Sequence, residues 1–200
     1  MAAPAGLNNA GTGRAVPTIE VYAEQFMYDD RRRLSGDPID DPVQLHKAAE
    51  RILTQFTHFD VGTLAVRGER LALFGSHWSD ESGNETSHFH VIEVDDHDRI
   101  AYEGRFSGDD FENAYLELER RYYAGEGAAY AEIGATLIAM ITAANRGDLD
   151  VFGQWTAPGL QLESRSRSIW PDRSIAEVRN SLEELGAMVE SVRTWYPAIC

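Results

Sequence analysis

Between Val61 and Phe106 the apolar residues of this chain recur at every second position, in four runs joined by short links. The runs are Leu64–Val66, Arg70–Trp78, Ser87–Val94 and Arg99–Phe106; the links are Arg67-Gly68-Glu69, Ser79–Glu85 and Asp95–Asp98. A period of two is that of a strand with one face turned inward. Parallel neighbours need a crossover of about a dozen residues or more, so links this short predict an antiparallel meander. A sheet is thereby fixed in the middle of the chain, and whatever surrounds it must cover its apolar faces.

The flanking segments read as helices. Thr18 is predicted to cap a short helix through Glu20–Phe26. Asp41-Pro42-Val43-Gln44 is a stronger start: an Asp cap, Pro at the first helical position and Gln at the third. The helix behind it carries Leu45, Ala49, Ile52 and Phe56 on one stripe. A helix over Ser107–Tyr123, opened by Ser107 or Asp109, presents Phe111, Tyr115 and Leu118. Another over Ala128–Asn145 is expected to bury Ile133, Leu137, Ile138, Met140 and Ile141, with Gly147 as its C-terminal cap. Ser174-Ile175-Ala176-Glu177 is a capping box that opens a helix bearing Val178, Leu182, Leu185 and Val189. Trp195–Cys200 reads as the start of a strand, and residues 1–18, rich in Ala, Gly, Asn and Pro, as a flexible leader.

Charge narrows the partners. The chain of 200 residues is 43% hydrophobic, enough for a packed core, and carries a net charge of −15. That charge repels the polyanionic backbone of nucleic acids and acidic membrane surfaces, so neither is an expected partner. The one tribasic run, Arg31-Arg32-Arg33, follows Asp29-Asp30 and is compensated locally. Cys200 is the single cysteine, which excludes an internal disulfide and fits a cytoplasmic setting. Ile133–Ala144 is interrupted by Gly134, Thr136 and Thr142 and reads as a core helix rather than a membrane span.

Two stretches of the chain match each other. Phe26–Arg33 lies over Leu160–Arg167, with apolar, acidic and basic positions coinciding, and the cap Asp41 lies over Ser174. Leu45, Ala49, Ile52 and Phe56 then lie over Val178, Leu182, Leu185 and Val189. The organisation this implies is a leader over 1–18, a first unit over 19–123 whose leading helix is short or missing, and the N-terminal half of a second unit over 124–200.

The order of short strand, capped helix and long meander resembles the NTF2-like superfamily, in its SnoaL-like branch. The residues that carry the resemblance are Tyr28-Asp29-Asp30-Arg31-Arg32, Leu64–Leu73, His90–Asp95 and Arg105-Phe106, with Asn145-Arg146-Gly147-Asp148 and Glu163-Ser164-Arg165-Ser166 in the second unit. The arrangement is similar to the tandem C-terminal modules of some large actinobacterial regulatory or signalling proteins. The resemblance implies an α+β fold, a cone formed by a curved antiparallel sheet with helices on one face. It also implies homodimers formed through the sheet. Activity does not follow from the fold, which hosts isomerases, cyclases, dehydratases and pure binding modules alike.

Enzymes that resemble this chain hold an acid or base inside the cone. Asp29, with Tyr28 or His90 as hydrogen-bond partner, is the catalytic candidate on that resemblance; a structural ion pair with Arg31–Arg33 or Arg105 is the competing role. Tyr28, Trp78, His90, Tyr102, Arg105 and Phe106 are the candidates for lining a pocket for a small apolar ligand. His88 and His90 share one strand face, while a turn centred near Gly83 sets His77 opposite Phe89, away from both. A three-histidine metal site is therefore not expected, and no cofactor motif is present. Ser35, Ser76 and Ser79 lack the strand-to-helix turn of a hydrolase nucleophile. The expected role is a noncatalytic ligand-binding or oligomerisation module of a longer regulatory protein. An acid–base enzyme acting on an apolar carbonyl compound ranks below it, and a truncated remnant without a function of its own below that.

Overall fold

The computed structural model describes residues 20–33, 35–157, 159–163, 173–189 and 193–199. The leader over 1–18 with its Thr18 cap, the Ser164–Arg167 part of the internal match and Cys200 lie outside the described residues. The chain forms two compact units, Met1–Ala128 with Pro197–Cys200, and Ala129–Tyr196.

The first unit is built on one sheet with strand order β1-β5-β4-β3-β2-β8. Its strands are β1 (Tyr22–Asp30), β2 (His58–Arg67), β3 (Leu71–Ser79), β4 (Glu85–Val94), β5 (Ile100–Ser107) and β8 (Ala198–Ile199). The meander β2–β5 is antiparallel as its short links require. The edges β1 and β8 join it in parallel, against β5 and β2, so the sheet is mixed rather than purely antiparallel. Strand β1 replaces the helix expected over Glu20–Phe26. Tyr22, Phe26 and Tyr28 all turn inward from it, the rings of Tyr22 and Phe26 meet edge to face at 5.1 Å, and aromatic side chains of this kind favour a pleated, half-buried surface. Strand β2 begins six residues before the expected Leu64 because pairing of His58 with Ser79 recruits a polar stretch that shows no period of its own.

Register sorts the side chains onto two faces. Phe74, Ser76 and Trp78 of β3, His88, His90 and Ile92 of β4, and Glu103 and Arg105 of β5 share the inner face. Helix α1 (Pro42–Gln55) covers it, capped by Asp41, whose carboxylate accepts from the Val43 amide at 2.8 Å. Leu45 sinks from α1 into a cluster with Tyr22, Phe26, Tyr28, Ala72, Phe74, Ile92 and Ile100. Each such buried side chain contributes roughly 2 kcal/mol.

The outer face carries Leu71, Leu73, Phe89, Val91 and Phe106, and α2 (Phe111–Ala124) packs there. Phe111 meets the Phe89 ring at 5.4 Å, and Glu119 and Tyr115 take the fully buried Arg67 guanidinium. Helices thus lie on both faces, not on one. The central strands β3 and β4 are buried on both sides, and each face needs a cover.

The second unit contains α3 (Ala131–Asn145), α4 (Leu149–Gln154), the two-residue strands β6 (Gln161–Leu162) and β7 (Arg173–Ser174), and α5 (Ile175–Met188). The expected capping box is formed: the Ser174 hydroxyl accepts from the Glu177 amide at 3.3 Å, and the Ser174 amide donates to the Glu177 carboxylate at 2.7 Å. Gly147 closes α3 at a φ of 72°, a conformation glycine adopts at no steric cost. Helix α4 was not signalled by any apolar stripe; it starts at Asp148, which accepts from the Val151 amide. Of the five apolar residues expected inside α3 only Ile141 is buried, and Ile133 is 63% exposed. The span Ala128–Asn145 has the length and apolar content of a bilayer crossing, on those two criteria alone.

Candidate functional site

Strand alternation gathers an unusual density of polar groups on the inner face of the first unit. His90 of β4 stands between Ser76 of β3 and Glu103 of β5. Its Nε2 lies 3.0 Å from the Ser76 hydroxyl and its Nδ1 2.9 Å from Glu103 Oε1. The Tyr22 hydroxyl, from β1, donates to the second oxygen of the same carboxylate. All four side chains are almost entirely withdrawn from solvent.

The protonation pattern follows from the contacts. Burial pushes the Glu103 carboxyl up, but hydrogen bonds and charge from His90, the Tyr22 hydroxyl and Arg105 outweigh it and leave the group below its ordinary value. Glu103 is therefore ionised and can only accept. The Tyr22 phenol, buried against that negative charge, is pushed well above its usual value and keeps its proton to donate. His90 then donates from Nδ1 to Glu103, and its Nε2 lies against the Ser76 hydroxyl.

Beside this relay lie two groups that each keep one ring or guanidinium nitrogen without a hydrogen-bond partner. Arg105 is 4% exposed, its guanidinium lies 4.4 Å over the Trp78 ring, and its Nη1 donates to the Tyr28 hydroxyl at 3.4 Å. Among the described residues no carboxylate reaches it at ion-pair distance, and its Nε has no hydrogen-bond partner. His88, 3% exposed, has an unpartnered Nδ1 and meets the Trp78 ring edge-on at 4.8 Å. Burial, then the charge of Arg105 and the neighbouring His90, push His88 down to about 3, so its ring is neutral. Burial and the nearby Glu103 charge push the Tyr28 phenol up to about 12. Phe56 and Phe59 flank the other sides of Trp78 at 5.9 and 5.4 Å.

Of the pocket residues read from the sequence, the structure brings Tyr28, Trp78, His90 and Arg105 together here. Asp29, Tyr102 and Phe106 sit on the opposite face. Asp29 accepts from Arg31 Nε at 2.6 Å and lies 3.4 Å from the Tyr102 hydroxyl, while Phe106 is packed under the Arg31 guanidinium. Asp29 therefore cannot act with Tyr28 or His90: neighbouring residues on a strand point to opposite faces, and Tyr28 takes the inner one. Asp30 is likewise engaged, by Arg32. The turn centres on Ser82 instead of Gly83, so His77 opposes Ser87 rather than Phe89. His77 still faces outward, 3.1 Å from the Ser87 hydroxyl. Among the described residues no three potential ligands cluster as a metal site would require.

Glu103 and Tyr22 are the members of the site that sequence reasoning missed; the sequence sets His88 on the face of His90 without a ligand role and gives Ser76 no nucleophile motif. The apolar alternation Tyr102, Gly104, Phe106 sets Glu103 on the polar parity, and only the register of β5 against β4 brings it to the face of His90. A separate open groove of about 600 Å³ lies across the outer ends of β2–β4, over Gly62, Gly75 and Phe89. Among the described residues no unpartnered buried polar side chain lines it except His88, whose ring belongs to the inner face.

No protein-family model matches the sequence, and no curated protein sequence matches it. Solved structures with a similar chain path are NTF2-like and SnoaL-like proteins. An NTF2-like protein of unknown function from Exiguobacterium sp. 255-15 is 9% identical, over 46% of this chain and 80% of that one, at a TM-score of 0.34. A steroid delta-isomerase from Pseudomonas aeruginosa is 14% identical over 58% and 85%, at 0.42. A pinacolase from Penicillium brevicompactum is 15% identical over 58% and 89%, also at 0.42.

Proposed function

We propose that the first unit is a ligand-binding module whose inner sheet face takes a small organic anion, an aromatic or otherwise apolar carboxylate. The observation that carries this reading is Arg105. A buried guanidinium without a carboxylate partner among the described residues costs several kcal/mol of desolvation, and a sequence that keeps one gains something else from it. A bound carboxylate would supply the ion pair that Glu103, near enough only to feel the charge of Arg105, does not make, and the planar guanidinium edge suits its two oxygens. Trp78, Phe56 and Phe59 provide the apolar contact, and His88 Nδ1 a further polar one.

The test is a titration of the ¹⁵N-labelled protein with benzoate, followed at the Trp78 indole and Arg105 Nε–H signals. Both signals shift on saturation, and the shifts vanish in Arg105→Gln. Benzamide, the neutral isostere, produces neither. Equal responses to benzoate and benzamide, or no response at these two signals, would refute the reading.

Acid–base catalysis on an apolar carbonyl compound is the second reading, favoured by the contact between His90 and Glu103. In it the base is the His90–Glu103 pair, and Asp29, held by Arg31 on the other face, takes no part.

A further inference from the structure

We propose that Ser76 is a nucleophile, activated by His90 and oriented through Glu103, that accepts an acyl group from an ester of a small organic acid. The order of contacts is the one such chemistry needs. The hydroxyl lies 3.0 Å from His90 Nε2, the opposite ring nitrogen lies 2.9 Å from Glu103 Oε1, and the second carboxylate oxygen is held by the Tyr22 hydroxyl. Each member sits on a different strand, β3, β4, β5 and β1, so the relay is held by the sheet itself and not by a loop. The ionised Glu103 accepts only, so His90 donates from Nδ1, and it is the neutral ring whose Nε2 offers a lone pair to the Ser76 O–H.

Here Arg105 Nε and His88 Nδ1 have no partner among the described residues, and both side chains flank the same Trp78 ring. In this proposal the Arg105 guanidinium, whose Nε has a proton to give, meets the negative charge that develops on the acyl oxygen. This inference rests on the anion-binding reading for that placement, because the acid released is the kind of ligand proposed for Arg105. The nucleophile itself does not depend on it.

The chemistry balances without a further reactant. As Ser76 Oγ bonds to the carbonyl carbon, its proton passes to His90 Nε2. Collapse of the tetrahedral intermediate breaks the ester C–O bond, and the departing alcohol takes that proton. Water then adds to the acyl-serine while giving a proton to His90; the C–Oγ bond breaks and Ser76 is reprotonated. One ester and one water become one acid and one alcohol. Ser76 and His90 are the catalytic residues, and Glu103 and Tyr22 are positioning residues.

The experiment is covalent labelling of the full chain with phenylmethanesulfonyl fluoride, followed by intact mass and peptide mapping. The expected result is one adduct on Ser76, with fluoride released, at a rate that rises with pH through a single titration. Ser76→Ala gives no adduct. Glu103→Gln lowers the rate by about 10⁴-fold, whereas Glu103→Asp recovers part of the rate. A burst of p-nitrophenol from p-nitrophenyl acetate, equal to the protein concentration, checks the same step in the unsubstituted protein. Absence of both the Ser76 adduct and the burst, or labelling that is unchanged in Glu103→Gln, overturns the proposal. Benzoate titration of Ser76→Ala separates the two readings. Binding retained without labelling in the parent protein removes the nucleophile alone; labelling without benzoate binding removes the anion site alone.

Discussion

Lowering the pH from 7 to 5 should destabilise the first unit by about 2 kcal/mol through His88 alone. Burial and the charge of Arg105 hold its folded-state value at about 3, against 6.5 for the exposed group. His90 and Arg32 act on it in the same direction. Between those two values the unfolded chain binds a proton that the folded chain does not, so stability falls as pH falls, by about 1.4 kcal/mol per unit well below 6.5. Integrated from pH 7 to 5 with the upper value near 6.5, that slope amounts to about 2 kcal/mol. The assay is urea unfolding followed by fluorescence, in a background where Trp155, Trp170 and Trp195 are phenylalanine, so that Trp78, packed against Phe56, Phe59 and His88, is the reporter. The informative quantity is the difference in slope between this protein and His88→Gln. Lost packing lowers the variant's whole curve without tilting it, and carboxylates that begin to titrate near pH 5 contribute equally to both. Removing His88 should flatten the curve by the stated amount. Parallel curves from pH 7 to 5 would refute the claim that this imidazole is held neutral by its surroundings.

The other perturbations bear on what holds the sheet and its covers together. Glu117, 3% exposed, is raised by burial but drawn down to about 2 by Arg120, Arg31 and Arg121. Its contribution is present above about 4.5 and lost as pH falls toward 2. Glu117→Gln should therefore cost about 2 kcal/mol at pH 7, discounted for the exposure of Arg31 and Arg120, and little near pH 2, as urea midpoints at the two pH values will show. Glu119→Leu, which takes the carboxylate from the fully buried Arg67 guanidinium, should cost about 3–5 kcal/mol, while Arg67→Met with Glu119→Leu should come within about 1 kcal/mol of the parent protein; strict additivity of Glu119→Leu and Arg67→Met in urea denaturation would exclude that coupling.

What the sequence made legible and what it hid divide along one physical line. Local chemistry was readable: the Asp41 and Ser174 caps, the Gly147 helix end and the short links that force an antiparallel meander all act within a few residues of themselves. The face on which a strand residue points was readable too, and it already placed His88 and His90 together. Contacts that depend on register between strands were not. His90 reaches Glu103 because it stands opposite Arg105, with Glu103 on the diagonal, and a shift of pairing by two residues would bring different groups together. The turn at Asp80–Asn84 shows how small the margin is. Its centre lies one residue from Gly83, enough to exchange Phe89 for Ser87 as the partner of His77.

Asp29 illustrates the same limit from the other side. As an acid beside aromatics on a strand it satisfied every local criterion for an acid–base residue, and alternation alone was enough to separate it from Tyr28. The rule that set the two histidines on one face, applied to Tyr28-Asp29-Asp30, sends Asp29 outward to Arg31 and Tyr102. Strand alternation therefore ranks above residue type when a site is sought in a sheet: a carboxylate counts only if its parity matches that of its intended partners. Under that test Glu103 qualifies, since β5 pairs with β4 so that Glu103 and Arg105 share a face with His88, His90 and Ile92, and β1 sets Tyr28 opposite Glu103 on the same side. The inner face is thus where, among the described residues, a carboxylate, two imidazoles, a guanidinium and a serine hydroxyl converge.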